Sequence, residues 1–298
     1  MKRISTFVAL LLAVGSVAAQ QQADLTFDTS VKNPAYTAAH PKVLFDEAHF
    51  NFHTASGRYK PFADLITNDG YRVTPNKEKF TRQSLQGFDV LVIANAGAAQ
   101  AESADRSRPA FTDEECDAVR DWVREGGALL LIADHAPAGA AAEILGLRFG
   151  VNMSKGFTAD PINYERVGFN PGWIRFSLAQ KNLGEHPITR GRNADERVNS
   201  VLSFTGQSLS GPKDSTALLK LSDQAYDVDE PGNPLAKIVS AAGRAQALAL
   251  PFGKGRVVVF GEAAMLTAQN QNFGLNYPGT DDRQLVLNVM HWLTRLLK

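Results

Sequence analysis

Three short stretches of the sequence carry side chains that could do acid-base chemistry, Asp46-Glu47-Ala48-His49 with His53 just beyond, Asp134-His135, and Glu262, and a fourth, Asn95-Ala96-Gly97, could supply hydrogen-bond donors. Carboxylates and imidazoles brought together from separate segments can pass protons to and from a bound water or substrate, or ligate a divalent metal through oxygen and nitrogen. In a catalytic arrangement Asp134 or Glu47 would be the general base and His135 or His49 its proton-transfer partner, with Glu262 completing the group. Peptide donors near Asn95 and Gly97 would stabilise developing negative charge, and Asp46, His53 and Trp173 would contact the substrate. No established metal spacing is present, since His-Glu-x-x-His is absent and His49 and His53 stand four apart without the glutamate. No cofactor is expected, and a divalent metal is the lesser alternative. Each residue also has a plainer explanation. Asp and Asn at strand ends often cap helices or close turns, and Asp134 followed by Pro137 suits a helix start.

For these residues to meet, the elements before them must end at one edge of a sheet. Lys42-Val43-Leu44-Phe45 reads as a first strand, and a helix from about Pro61 to Asn68 leads to a second strand at Tyr71-Arg72-Val73. Asp89–Ala94 and Ala128–Ala133 are near-continuous apolar runs, as expected of parallel strands covered on both faces. Between them Thr112-Asp113-Glu114-Glu115 spells a capping box that opens a helix running to Glu125. A helix from about Ala138 to Leu145 precedes a long, irregular stretch from about 146 to 211, read as an insertion over one end of the sheet. Its Phe157, Tyr164 and Trp173 offer stacking surface. Ala217–Leu221 and Gln246–Leu250 restore regularity, a Gly253-Lys254-Gly255 turn leads into Arg256–Phe260, and a helix from about Asp282 to Leu297 closes the chain. Strands alternating with helices imply an α/β fold with a mostly parallel central sheet, in which ligands bind beyond the carboxyl ends of the strands.

Composition narrows the functions. The chain has 298 residues with 31 Lys+Arg against 31 Asp+Glu, and this balance argues against nucleic acid as a partner, because phosphate binding needs a basic excess. Lys2 and Arg3 precede an apolar run, Phe7–Val14, and a small-residue stretch ending at Ala19, the pattern of a secretory signal. Residues 1–19 are therefore expected to be removed, 20–40 to form an extended arm, and 41–298 to form the domain. The expected location is periplasmic or extracellular, and no later segment reaches the roughly 20 apolar residues of a transmembrane helix. Cleavage would leave 29 basic and 31 acidic residues. The single cysteine, Cys116, falls with Val119 and Val123 on the apolar face of its helix, where it packs rather than reacts. His186 reads as a loop residue fixed by hydrogen bonds, and His291 as a satisfied histidine of the last helix.

The runs Val43–His49, Val90–Gly97, Leu129–Leu145 and Val257–Glu262 resemble, in that order, the class I glutamine amidotransferase-like superfamily, with a flavodoxin-like three-layer fold. His186-Pro187-Ile188-Thr189-Arg190-Gly191, Gly253–Val259 and Asn288–Leu293 are similar to phrases in exported bacterial members related to gliding-motility and ThuA-like proteins. The resemblance spans about residues 41–298. It implies a nucleophilic cysteine on an elbow after Leu129–Ala133 and a His-Glu pair after Val257–Phe260. This sequence instead has Asp134-His135 and Gly261-Glu262. Without the thiolate, nothing attacks a glutamine carboxamide, so amidotransferase activity is not expected. Two functions stay open: hydrolysis of a small periplasmic compound by Asp, Glu and His, or a non-catalytic module or scaffold that binds a small molecule, carbohydrate or peptide. The oligomeric state is not legible.

Overall fold

The computed structural model describes residues 22–99, 105–167 and 170–298, so the signal segment lies outside the described residues. The central sheet begins with five parallel strands in the spatial order β2 (Arg72–Asn76), β1 (Lys42–Asp46), β3 (Val90–Ala94), β4 (Ala128–Ile132) and β14 (Gly255–Phe260). Every residue of β3 and β4 is buried. Alternate side chains therefore supply two cores. Val90, Val92, Leu130, Ile132 and Phe260 pack on one face with helices α1 (Lys60–Asn68) and α6 (Asp282–Leu293). On the other face Leu91, Ile93, Leu129, Leu131 and Val259 meet α2 (Arg82–Leu85), α3 (Asp113–Glu125) and α4 (Ala138–Leu147). The result is a flavodoxin-like three-layer fold with its chain reversal beside β1.

The capping box forms as the sequence predicts: Thr112 N–H donates to Glu115 Oε2 at 3.0 Å, and Glu115 N–H donates to Thr112 Oγ1. Cys116 is fully buried in the second core, with its thiol pushed up to about 12 by burial. The last helix is shorter than expected, ending at Leu293, and residues 285–293 are buried all round rather than along a stripe. Residues 22–40 lack regular structure yet pack on the fold, Ala23 bridging Gln269 and Tyr36 meeting Tyr71 edge-on.

The stretch expected to be an insertion is partly sheet. β5 (Asn152–Met153) and β9 (Leu209–Ser210) extend the main sheet beyond β13 (Ala245–Phe252). β6 (Phe157–Ala159) joins β11 (Tyr226–Val228) and β12 (Ile238–Ser240) in a small second sheet. β7 (Trp173–Ser177) pairs with β8 (Ser200–Phe204), and β10 (Thr216–Lys220) flanks β13. β13 and β14 form the antiparallel pair read from the Gly253-Lys254-Gly255 turn. Ala94, Ile132 and Phe260 stand in register across β3, β4 and β14, so the residues that follow each strand emerge at one edge.

Candidate functional site

A cavity of about 260 Å³ opens at that edge, between the loop after β1, the end of β3 and the turn from β4 into α4. His53, Asn95, Gly97, Asp134 and His135 all line it, together with Arg106 and the apolar Phe52, Ala96, Ala136, Pro137 and Ala138. Asn95 turns the chain at the end of β3 with φ of 48°, a left-handed conformation that asparagine tolerates better than most residues. Its Oδ1 accepts the Asp134 N–H at 2.9 Å, which ties the ends of β3 and β4 together and leaves Nδ2 as its donor.

The Asp134 side chain is 14% exposed and its Oδ1 accepts the His135 N–H at 2.7 Å. Desolvation pushes its carboxyl above the ordinary aspartate range, against the pull of His135 and of the neighbouring Asn95 amide. Glu262 is fully buried behind it and accepts the N–H groups of Ala264 and Met265 at 2.6 and 2.8 Å. Burial first, then the nearby Asp134, raise Glu262 well above the usual glutamate range. The charge on Asp134 therefore favours the protonated form of Glu262. Tyr59 donates to the Ala263 carbonyl at 2.6 Å and is itself held neutral by burial and by both carboxylates.

His135 Nδ1 lies 2.8 Å from the Ala136 carbonyl, and because a carbonyl only accepts, Nδ1 carries the proton and Nε2 is left to exchange one. Nε2 stands 3.9 Å from Asp134 Oδ1. The ring stacks on Phe157 of β6 at 4.2 Å between centroids, so that aromatic orients His135 and is not itself among the residues lining the cavity. His53 is buried, its Nδ1 has no hydrogen-bond partner, and burial followed by the charge of Arg58 lowers it to about 3. It is a neutral imidazole on the cavity wall.

The other predicted site residues stand elsewhere. Asp46 and His49 belong to a closed network: His49 Nδ1 contacts Asp46 at 2.9 Å and its Nε2 contacts Glu115 Oε1 at 2.9 Å, with the ring between Phe80 and Phe111. Both nitrogens face carboxylates. Burial opposes the charge on His49, yet Asp46 and Glu115 outweigh it and its value is raised. Glu47 Oε1 accepts the Ala55 N–H at 3.0 Å, so it anchors the loop that carries Phe52 and His53. Trp173, paired with Phe204 across β7 and β8, packs edge-on against Phe204, Phe273 and Tyr277 and does not line the cavity. The Gly97 N–H is already bonded to the His49 carbonyl at 2.9 Å and the Asn95 N–H to Ile132 O at 2.9 Å, so those peptide donors are committed to the fold.

Two participants carry no sequence signal. Arg106 follows a polar stretch without periodicity, and a Cβ added at Gly97 would stand 3.0 Å from its Nη2, so the glycine lets the guanidinium lie over the loop. Gln207 is buried and its Nε2 donates to the carbonyls of Ala133 and Asp134 at 2.8 and 3.0 Å, clamping the turn. His186 caps the short α5 (Pro187–Arg190), accepting the Ile188 N–H at 3.2 Å, and His291 pairs with buried Asp69 at 2.7 Å. Among the described residues no group of three His, Cys, Asp or Glu side chains is arranged to hold a metal ion. No described helix is long and apolar enough to cross a membrane.

No protein-family model matches the chain, and no curated protein matches it either. Solved structures do. The mmIFT52 N-terminal domain is similar over 85% of this chain and 97% of its own, with a TM-score of 0.57 at 16% identity. A putative ThuA-like protein from Bacteroides uniformis aligns over 89% and 96% (TM-score 0.44, 16% identity). A putative GMP synthase protein from Thermoplasma acidophilum aligns over 87% and 97% (TM-score 0.43, 12% identity). At such identities the likeness is one of fold, and the fold hosts many activities.

Proposed function

We propose that this chain is an exported hydrolase of a small substrate, acting in the periplasm or outside the cell, with Asp134 as general base and no glutamine amidotransferase activity. The observation that carries the reading is the Asp134 carboxyl at the cavity wall, desolvated, held by the His135 N–H, and near enough to buried Glu262 to raise it. A carboxylate raised toward neutrality accepts protons more readily than an ordinary one, which is what a general base needs. Asp134 takes a proton from a water as its oxygen bonds to the electrophilic carbon of the substrate. Asn95 Nδ2 donates to the oxygen on which charge develops, and the proton taken by Asp134 passes by way of His135 Nε2, 3.9 Å from Asp134 Oδ1, to the leaving group as its bond to that carbon breaks, which returns Asp134 to its carboxylate form. Burial and the charge of Asp134 favour the protonated form of Glu262, so the base of the two is Asp134, and Gln207 holds the turn in place. This chemistry needs no cofactor. The turn after β4 carries Asp134 where an amidotransferase has its cysteine, and buried Cys116 offers no thiolate.

The test is turnover of a panel of small esters, amides, lactones and glycosides by the purified mature chain. At least one should be hydrolysed, with a loss of ~10²–10⁴-fold in Asp134→Asn. Saturable binding without turnover would favour the non-catalytic binding module. Equal rates in wild type and Asp134→Asn would remove Asp134 from the mechanism.

A further inference from the structure

The lining of the cavity is electrically lopsided. Asp134, just beyond the end of β4, lines one part of it, whereas Arg106 lies over the loop that follows β3. Between them the wall is mostly apolar, made by Phe52, Ala96, Ala136 and Pro137. The Arg106 guanidinium has five N–H donors. Among the described residues it donates only to the Phe50 carbonyl, at 3.3 Å, and no acid lies within ion-pair distance. A second guanidinium, Arg58, stacks on Phe52 at 3.6 Å and adds positive potential near the same wall, to which neutral His53 adds no charge. A planar fork of donors beside an apolar cavity matches a carboxylate better than a neutral oxygen, because two parallel charge-assisted bonds can form. The negative Asp134 requires the substrate's own charge to sit at the opposite end.

We infer that the substrate is a small carboxylate, seated by Arg106 with its reacting bond turned toward Asp134. This inference rests on the hydrolase reading for the reacting bond, but the seating of a carboxylate can be tested without turnover. The volume of about 260 Å³ lies just below the roughly 300–1,000 Å³ of ligand pockets, which suits a compact organic acid rather than an oligosaccharide.

The experiment is a binding titration of the mature chain with two matched pairs, butyrate against butyramide and benzoate against benzamide, followed through the ring resonances of His53 and His135. Each acid should shift those resonances and bind about tenfold or more tightly than its amide. Arg106→Ala should lose that preference while leaving the thermal midpoint within a few degrees, Arg106→Lys should retain part of it, and Asp134→Asn should bind the acids at least as well as wild type. Equal affinity for acid and amide, no binding of either at millimolar concentration, or equal losses for both in Arg106→Ala would overturn the inference. Asp134-dependent turnover confined to neutral substrates would overturn it and leave the hydrolase reading standing. Arg106-dependent carboxylate binding with no turnover would do the reverse.

Discussion

Two groups of buried ionisable side chains stand along the same edge of the parallel sheet, and they treat charge in opposite ways. In the first, His49 sits between Asp46 and Glu115, and every polar atom of the imidazole meets a carboxylate. Glu115 gains further support from the N–H groups of Thr112 and Phe80, and despite the cost of burial its value is lowered. In the second, Asp134 and Glu262 have no Lys or Arg in contact among the described residues, and both are raised, chiefly by desolvation. The first cluster is electrically satisfied and closed by Phe80 and Phe111. The second is frustrated and opens on a cavity. Proximity of Asp, Glu and His alone does not mark a reactive site; the group left with an unmet charge beside accessible space does.

The largest effect that separates the two is on rate. Asp134→Asn should cost ~10²–10⁴-fold in turnover and leave the melting temperature unchanged or higher, because an uncomfortable charge is removed. A loss of folding in that variant, seen by circular dichroism, would put Asp134 in the same structural class as His49. Next, His49→Ala should destabilise the fold by about 3–5 kcal/mol, read by urea unfolding, since two buried carboxylates lose their shared partner. A change below ~1 kcal/mol would mean that the network is not held as described.

Acid should sort the two groups. A raised histidine contributes stability that is complete below its ordinary value of 6.5 and fades as pH climbs through the raised one. A lowered glutamate contributes stability present above its ordinary 4.5 and lost as pH falls through the lowered value. The His49 network is therefore strongest between those limits. Raised carboxyls behave differently: Asp134 and Glu262 bind more protons folded than unfolded, so their contribution falls as pH rises above the ordinary carboxylate range. Glu262→Gln should flatten that fall by up to about 1.4 kcal/mol per pH unit in unfolding measurements. An unchanged slope would show that Glu262 releases its proton as an ordinary carboxylate does. A steric test lies at Gly139, where a Cβ would lie 2.3 Å from Gln207 Nε2. Gly139→Ala should cost about 1–3 kcal/mol by forcing that amide off the carbonyls of Ala133 and Asp134.

The sequence makes the strands and their polar ends readable for a local reason. Residues 90–94 and 128–132 are apolar without interruption because both faces are covered, so the first polar residues beyond them stand out. That places Asn95, Asp134 and Glu262 at the site and, through Thr112 and Glu115, marks the start of α3. It does not reveal that Glu115, besides closing its capping box, reaches back 66 residues to His49. This long-range bond turns the most conspicuous cluster of the sequence, Asp46 to His49, into a brace. Trp173 fails for a similar reason: an aromatic in an irregular segment looks available for stacking until β7 pairs with β8 and supplies Phe204 as its neighbour. Arg106 and Gln207 have no periodic context, and their roles depend wholly on what lies across the cavity or beneath the turn.

The contrast between a satisfied and a frustrated cluster is tested most directly by carbon-detected NMR titration of the Asp134 and Glu262 carboxyls in the folded protein. Both should titrate above the ordinary carboxylate range, and Glu262 should move down toward it in Asp134→Asn. Ordinary values for both groups, or a Glu262 that does not respond to Asp134→Asn, would contradict the second cluster on which the proposed site rests.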